Sequence, residues 1–154
     1  METNTTKVLC LDVGDRTLGI AISDSSHTIA QGVHSLRFSS SSPKEKVAYI
    51  KKMISSHRVG KIVIGIPFDL RGREGEQAKK TREFARLLKE EVNIPIVFAD
   101  ERFTSLAAER FLREGGVNLR KRRKIKDKVA ATILLQDYLD SLRREKNKQL
   151  EEDI

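Results

Sequence analysis

Three acidic positions sit where carboxylates are costly. Asp12 closes the run Val8-Leu9-Cys10-Leu11, which otherwise reads as a buried strand. Leaving an ionised carboxylate unpaired there costs on the order of several kcal/mol, so something must offset it. Asp100 and Glu101 close a second apolar run, Ile94-Pro95-Ile96-Val97-Phe98-Ala99. Asp127 is followed at plus three, plus four and plus seven by Ala130, Ala131 and Leu134. It therefore heads the apolar stripe of a helix and points toward the support that helix packs on. Each acid also has an ordinary explanation. Asp12 can cap the turn at Gly14, an Asp-Glu pair suits a helix N-terminal region, and Asp127 can pair with a nearby Lys or Arg. Taken together, acids from two strand ends and one helix start can converge on one point. Hard oxygen donors of that kind suit Mg2+ or Mn2+, and one or two such ions support phosphodiester hydrolysis by an activated water. Asp100 and Glu101 are adjacent, and adjacent strand residues face opposite ways. Both reach one site only if the strand has already ended.

The densest cationic stretch, Arg120-Lys121-Arg122-Arg123-Lys124-Ile125-Lys126-Asp127-Lys128, leads straight into the third acid. We read Arg120, Lys121, Arg122, Arg123, Lys124 and Lys126 as a clamp on a phosphate backbone. The plainer alternative is a solvated face. Arg102 follows the acidic pair and is placed to orient a carboxylate or contact a phosphate. Arg71 and Arg73, in the Gly-rich loop over residues 67–75, are a second substrate contact or part of an ordinary surface loop.

These positions must be held by a scaffold, and the hydropathy pattern supplies one. Residues 7–13, 18–23 and 29–36 read as three successive strands, antiparallel because the connections are short. Ser42, Pro43 and Glu45 predict a helix start with a capping box, and Val47, Ile50, Met53 and Ile54 continue it toward a stop at Gly60. Residues 61–66 are a strong strand. Residues 77–91 form a helix with Ala78, Thr81, Phe84, Ala85 and Leu88 on one side. Residues 94–99 are the fifth strand, 105–114 a short helix stopped by Gly115-Gly116, and 126–145 the last helix. The order predicts an α/β fold: a five-stranded mixed sheet with helices on both faces. One domain over residues 1–154 is expected, with residues 1–6 and about 146–154 as flexible tails.

The chain has 154 residues and a formal net charge of +8. That balance favours polyanions, nucleic acid first among them. Aromatics are 5% and tryptophan is absent, which argues against a reader that works by base stacking. His27, His34 and His57 are scattered, so a zinc site does not fit. No Walker A loop occurs. No run is apolar and long enough to span a membrane, and no signal-peptide pattern opens the chain. One cysteine, Cys10, fits a reducing compartment, and the expected location is cytoplasmic. The oligomeric state is not legible.

The residues also carry a resemblance. Leu11-Asp12-Val13-Gly14 with Gly19-Ile20-Ala21-Ile22-Ser23-Asp24, Gly65-Ile66-Pro67 with Gly72 and Gly75, Asp100-Glu101-Arg102-Phe103-Thr104-Ser105, and Asp127-Lys128-Val129-Ala130-Ala131 resemble the YqgF/RuvX family, in family order and over nearly the whole chain. The resemblance implies an RNase H-like fold and a nuclease related to resolvases of the RuvC type. It implies Asp12, Glu101 and Asp127 as the acids that hold Mg2+ or Mn2+, with Asp100 either structural or sharing the metal. Bacterial members are associated with maturing the 5′ end of the small-subunit ribosomal RNA precursor. Pre-rRNA, and with it the ribosomal precursor particle, is therefore the expected partner, and a DNA four-way junction the rival. Arg71 departs from the pattern, since many relatives carry Asp or Asn before the glycine. Two other classes remain open at this point: a non-catalytic nucleic-acid-binding module, and an actin-like ATPase, for which the chain is short.

Overall fold

The apolar runs of the sequence become strands buried on both faces, and the amphipathic stretches become the helices that cover them. The computed structural model describes residues 6–69, 71–102, 110, 113–116 and 118–152, without the side chains of residues 119, 120 and 122–127. In chain order the elements are β1 (Lys7–Val13), β2 (Thr17–Ser23), β3 (Ala30–Arg37), α1 (Pro43–His57), β4 (Val59–Ile66), α2 (Glu76–Glu91), β5 (Ile96–Asp100) and α3 (Leu119–Glu152). They build one five-stranded sheet in the order β3-β2-β1-β4-β5. β1, β2 and β3 form an antiparallel meander, and β1–β4 and β4–β5 are parallel. The expected α/β architecture, a mixed sheet with helices on both faces, is the observed one.

Two cores explain the long apolar runs. On one face Leu9, Leu11, Ile20, Ile62 and Ile64 pack with Ile50 and Met53 of α1 and with Phe84 and Leu88 of α2. On the other, Val8, Cys10, Ala21 and Val63 pack with Ala131, Leu134, Leu135 and Leu139 of α3. Strands covered on both faces have no polar side to alternate with. Each fully buried leucine or isoleucine contributes about 1.5–3 kcal/mol relative to exposure. α1 and α2 therefore clamp one face and α3 the other. The five residues on the apolar side of α2 inferred from spacing are the five that are buried.

Local details depart from the expected signals. Ser42 does cap α1, accepting from Lys44 N at 3.4 Å, but the reciprocal bond falls to Ser40. The Ser42 amide donates to Ser40 Oγ at 3.0 Å, so the serine-rich loop replaces the Glu45 arm of a capping box. α1 stops at Arg58, in the left-handed region at φ 53. Gly60 is not the stop; it lies inside β4, where a Cβ would fall 2.2 Å from Thr6 Oγ1. A close approach of chains, not a helix end, demands glycine there. α3 is longer at both ends than its apolar stripe: it begins at Leu119 and continues helically through residues 146–152, where a flexible tail was expected. Asn118 Oδ1 accepts from Lys121 N at 2.9 Å and caps its start. Most of the short helix expected over residues 105–114, and the tail at residues 1–5, lie outside the described residues. No helix among the described residues is long and apolar enough to cross a membrane.

Candidate active site

Asp12 owes its position to strand alternation. Val8 and Cys10 face α3, so Asp12, two residues further on, faces α3 as well. It is partly buried at the carboxyl end of β1, the central strand. Its neighbours in register are small. Asp12 pairs with Gly19 on β2. On β4 the partner of Leu11 is Ile64, which sets Gly65 beside Asp12, and Gly65 in turn pairs with Ala99 on β5. A row Gly19–Asp12–Gly65–Ala99 therefore flanks the carboxylate with residues that carry little or no side chain, which leaves room for a side chain from elsewhere.

Glu101 occupies part of that space. β5 ends at Asp100, yet the Glu101 amide still donates to Ile66 O at 3.1 Å, adding one bond to the β4–β5 ladder. Its side chain folds back over β4: a Cβ on Gly65 would lie 2.5 Å from Glu101 Oε2 and 2.7 Å from Leu134 Cδ2. Only glycine leaves room for the glutamate there. Cys10, directly below, registers the convergence. Its fully buried thiol is pushed well above the usual range by burial first, then by the charges of Asp12 and of Glu101. Two carboxylates from two strands thus share one patch of the α3-facing surface.

Asp100 points elsewhere. It pairs with Ile66 on the side of the sheet that α1 and α2 cover. It accepts from Arg102 N at 2.9 Å and from Arg102 Nε at 2.8 Å, with Arg102 NH2 also at 2.7 Å. Partial burial works to raise its pKa, but the hydrogen bonds and charge of Arg102 outweigh that and hold it below the ordinary aspartate value. The alternation problem posed by adjacent acids is thereby resolved. Glu101 turns toward Asp12, and Asp100 anchors Arg102. The Arg102 guanidinium also lies against Gly72, whose φ of 79° suits glycine, so it links the end of β5 to the loop after β4.

Asp127 lies in α3 one turn before the buried Ala130 and Ala131; its side chain is outside the described ones. The direction of α3 nevertheless locates its backbone. Gln136 bonds Ala30 at the start of β3, whereas Lys128 and Thr132 abut Gly32, further along that strand. α3 therefore runs opposite to β3, and β3 runs with β1. The N-terminal half of α3 thus lies toward the carboxyl ends of β1, β4 and β5, the end that carries Asp12 and Glu101.

The expected cationic clamp starts on the same half of α3. Lys121 is exposed; the side chains of Arg120, Arg122, Arg123, Lys124 and Lys126 lie outside the described residues. In the loop after β4, Arg73 is exposed and paired with Asp69 at 2.9 Å. Arg71 is exposed, with its amide donating to Asp69 Oδ1 at 2.9 Å. The loop is a compact turn organised by Asp69, whose pKa is held down chiefly by the amide of Arg73.

Asp12 and Glu101 offer hard oxygens over a glycine-lined gap, a donor set that fits a small divalent cation. Among the described residues no group of three His, Cys, Asp or Glu side chains is placed to hold a metal. The contribution of Gly19 and Gly65 was not read from the sequence. Glycines inside strand patterns at the level of an acid were the available signal.

Comparison with known proteins places this geometry. Solved structures of RuvC from T. thermophilus in complex with a Holliday junction substrate (TM-score 0.54, 18% identity, covering 90% of this chain and 96% of that one) and of the fowlpox virus resolvase with its junction DNA (TM-score 0.54, 14% identity, covering 89% and 99%) share the fold, which is RNase H-like. A protein of that fold is the class defined here. A family model described as RuvX, Holliday junction resolvase, matches residues 6–141, and the chain belongs to that family. Similar curated proteins carry the name "Putative pre-16S rRNA nuclease": one from Caldanaerobacter subterraneus subsp. tengcongensis is 49% identical over 136 residues, covering 88% of this chain and 96% of that protein, and one from Clostridium novyi is 45% identical, covering 88% and 99%.

Proposed function

We propose that this nuclease hydrolyses phosphodiester bonds in the precursor of small-subunit ribosomal RNA, at its 5′ end, on ribosomal precursor particles in the cytoplasm. The observation that carries the catalytic part is the convergence of Asp12 and Glu101 over Cys10. The substrate rests on the names of relatives that match this chain along nearly their whole length. Asp12, Glu101 and Asp127 are the residues we assign to hold one or two Mg2+ or Mn2+ ions. When bound, such an ion lowers the pKa of water and polarises the phosphate. The chain's own residues position the reaction. Asp12 sits on the central strand of the sheet, Glu101 is aimed by the glycine beneath it, and Arg102 is held by Asp100 at the rim. Arg120, Lys121, Arg122, Arg123, Lys124 and Lys126 grip the strand through its phosphates, with Arg71 and Arg73 as a second contact.

A second reading, cleavage of a DNA four-way junction, is favoured by the description of the matching family. One experiment separates the two. Labelled precursor RNA, duplex DNA and four-way junction DNA compete for cleavage with Mg2+ or Mn2+ present, by the wild type and by Asp12→Asn. Metal-dependent cutting of the RNA, lost in Asp12→Asn, supports the proposal. Preferential cutting of the junction overturns the RNA assignment. Full cutting by Asp12→Asn overturns the site.

A further inference from the structure

On the face opposite the acids, a cavity of about 700 Å3 opens between the β1–β2 turn, the start of α1 and the start of α2. Val13 and Gly14, which line it, follow Asp12 directly in the chain. Two residues of extended chain span at most about 7 Å, so the cavity mouth adjoins the acidic site across the sheet edge. Its walls carry an unusual group. Lys46, on α1, is 3% exposed and donates to the carbonyls of Gly14 at 2.6 Å and Asp15 at 2.7 Å. Both acceptors are neutral. Among the described residues no carboxylate lies within ion-pair distance of it. An ammonium has three donors, and two are used; beyond them the ammonium has only the face of the Phe84 ring, 6.0 Å from its centroid, at the outer limit of a cation–π contact. A buried charge without a counter-charge is costly, and burial pulls its pKa down despite the charge of Asp15.

The rest of the cavity has the same sign. Arg16, Lys79 and Lys80 line it with Lys46, against Asp15 and Glu83. Both acids are engaged: Asp15 with Lys80 at 3.4 Å and Glu83 with Arg86 at 2.6 Å. That leaves Arg16, Lys46 and Lys79 in surplus. The first turn of α2 adds to this, because its N-cap is Gly75, which supplies no side-chain cap, and Gln77 of that turn lines the cavity. Uncapped amides and the positive end of a helix favour an anion. Between the cations lie Phe84 and Leu87, an apolar wall.

We infer that this cavity binds a backbone phosphate of the nucleic-acid strand adjoining the bond to be cut, with Lys46 as its buried counter-charge and the adjoining sugar or base against Phe84 and Leu87. The inference rests on the nuclease reading for the identity of the strand, but not for the presence of an anion site.

The test is made on the full chain in EDTA, so that no cleavage is needed. Inorganic phosphate and a nucleoside 5′-monophosphate should each raise the Tm of the wild type in a saturable, concentration-dependent way, relative to chloride at matched ionic strength. Lys46→Met should remove that increment. Its own Tm in phosphate-free buffer should fall, because the Gly14 and Asp15 carbonyls lose their donor, so the readout is the phosphate increment measured from that lower baseline, which a merely structural lysine would leave intact. The slope of log Kd against log salt for an RNA oligomer should fall by about 0.7–0.9 in Lys46→Met, the loss of one phosphate contact. Should Lys46→Met fail to fold, Arg16→Ala/Lys79→Ala carries the test through the same slope, expected to fall by about twice that amount. An unchanged phosphate increment and an unchanged slope in these variants overturn the site. Stabilisation by phosphate with an RNA slope indifferent to both variants overturns the strand assignment and leaves a site for a free phosphate compound. These readouts are blind to cutting, so a failure of the nuclease assignment and a failure of this site are told apart.

Discussion

The two faces of the sheet's carboxyl end carry opposite charges and are built by opposite means. On the α3 face, acids stand over glycines, and space is made by leaving side chains out. On the α1–α2 face, one lysine is driven into the wall and held by backbone carbonyls rather than by a paired carboxylate. The first arrangement fits a cation and the second an anion. A nucleic-acid strand with its metal needs both within a short reach. The acids come from strand ends, which alternation fixes. The lysine comes from a helix, and only the packing of α1 against the β1–β2 turn brings it to the edge.

The sharpest way to break this contrast is at the acids. Asp12→Asn and Glu101→Gln should each lower cleavage on the order of 10^3-fold, the scale of losing one group that stabilises developing charge. Each variant should keep the wild-type fold, because the amide has the shape of the carboxylate it replaces. Single-turnover rates with thermal melts check both statements. Gly65→Ala tests the glycine floor. Its Cβ must displace Glu101 and Leu134, so it should cost about 1–3 kcal/mol in denaturant unfolding and reduce cleavage with it. Stability lost with full activity would mean that Glu101 is not held there for chemistry. Asp100→Asn should cost far less activity than Glu101→Gln, under about tenfold, on the scale of a supporting contact. It releases Arg102 but leaves the α3 face intact, and equal losses would put both acids in one site.

The smallest effect is a control remote from both faces. Asp24, after β2, is held down to about 2, first by Ser26 and then by the amides of Thr28 and Ile29. A depressed carboxylate stabilises above its unfolded pKa and loses that contribution as pH falls through the folded value. Asp24→Asn should therefore melt below the wild type at neutral pH, by a margin that solvent screening keeps small. The difference should close between about pH 4 and pH 2, as followed by Tm against pH. Cleavage should not change.

Much of this is legible in the sequence. The runs around Leu9, Ile64 and Val97 announce strands because both faces of the sheet are covered. The apolar side of α2 could be named residue by residue. Asp12 stood out because an acid in such a run demands a reason. Other features depended on neighbours distant in sequence. Gly60 looked like a helix stop, and its true reason is Thr6 across the sheet. The choice between Asp100 and Glu101 needed the point where β5 ends and the partner Asp100 takes. Lys46 shares a helical stripe with Ile50 and Met53, an ordinary spacing that hides an exceptional environment.

The two acids also differ in how firmly the fold holds them. Asp12 sits on β1, paired on both sides in the middle of the sheet. Glu101 hangs one bond beyond β5, at the sheet's outer edge. Edge segments open at lower free energy than central ones. Warming should therefore release Glu101 well before β1 gives way, so that activity disappears while the protein still scatters, exchanges and melts as a folded chain. The temperature limit of this enzyme would then be set by the end of β5, a few residues of edge rather than the whole core.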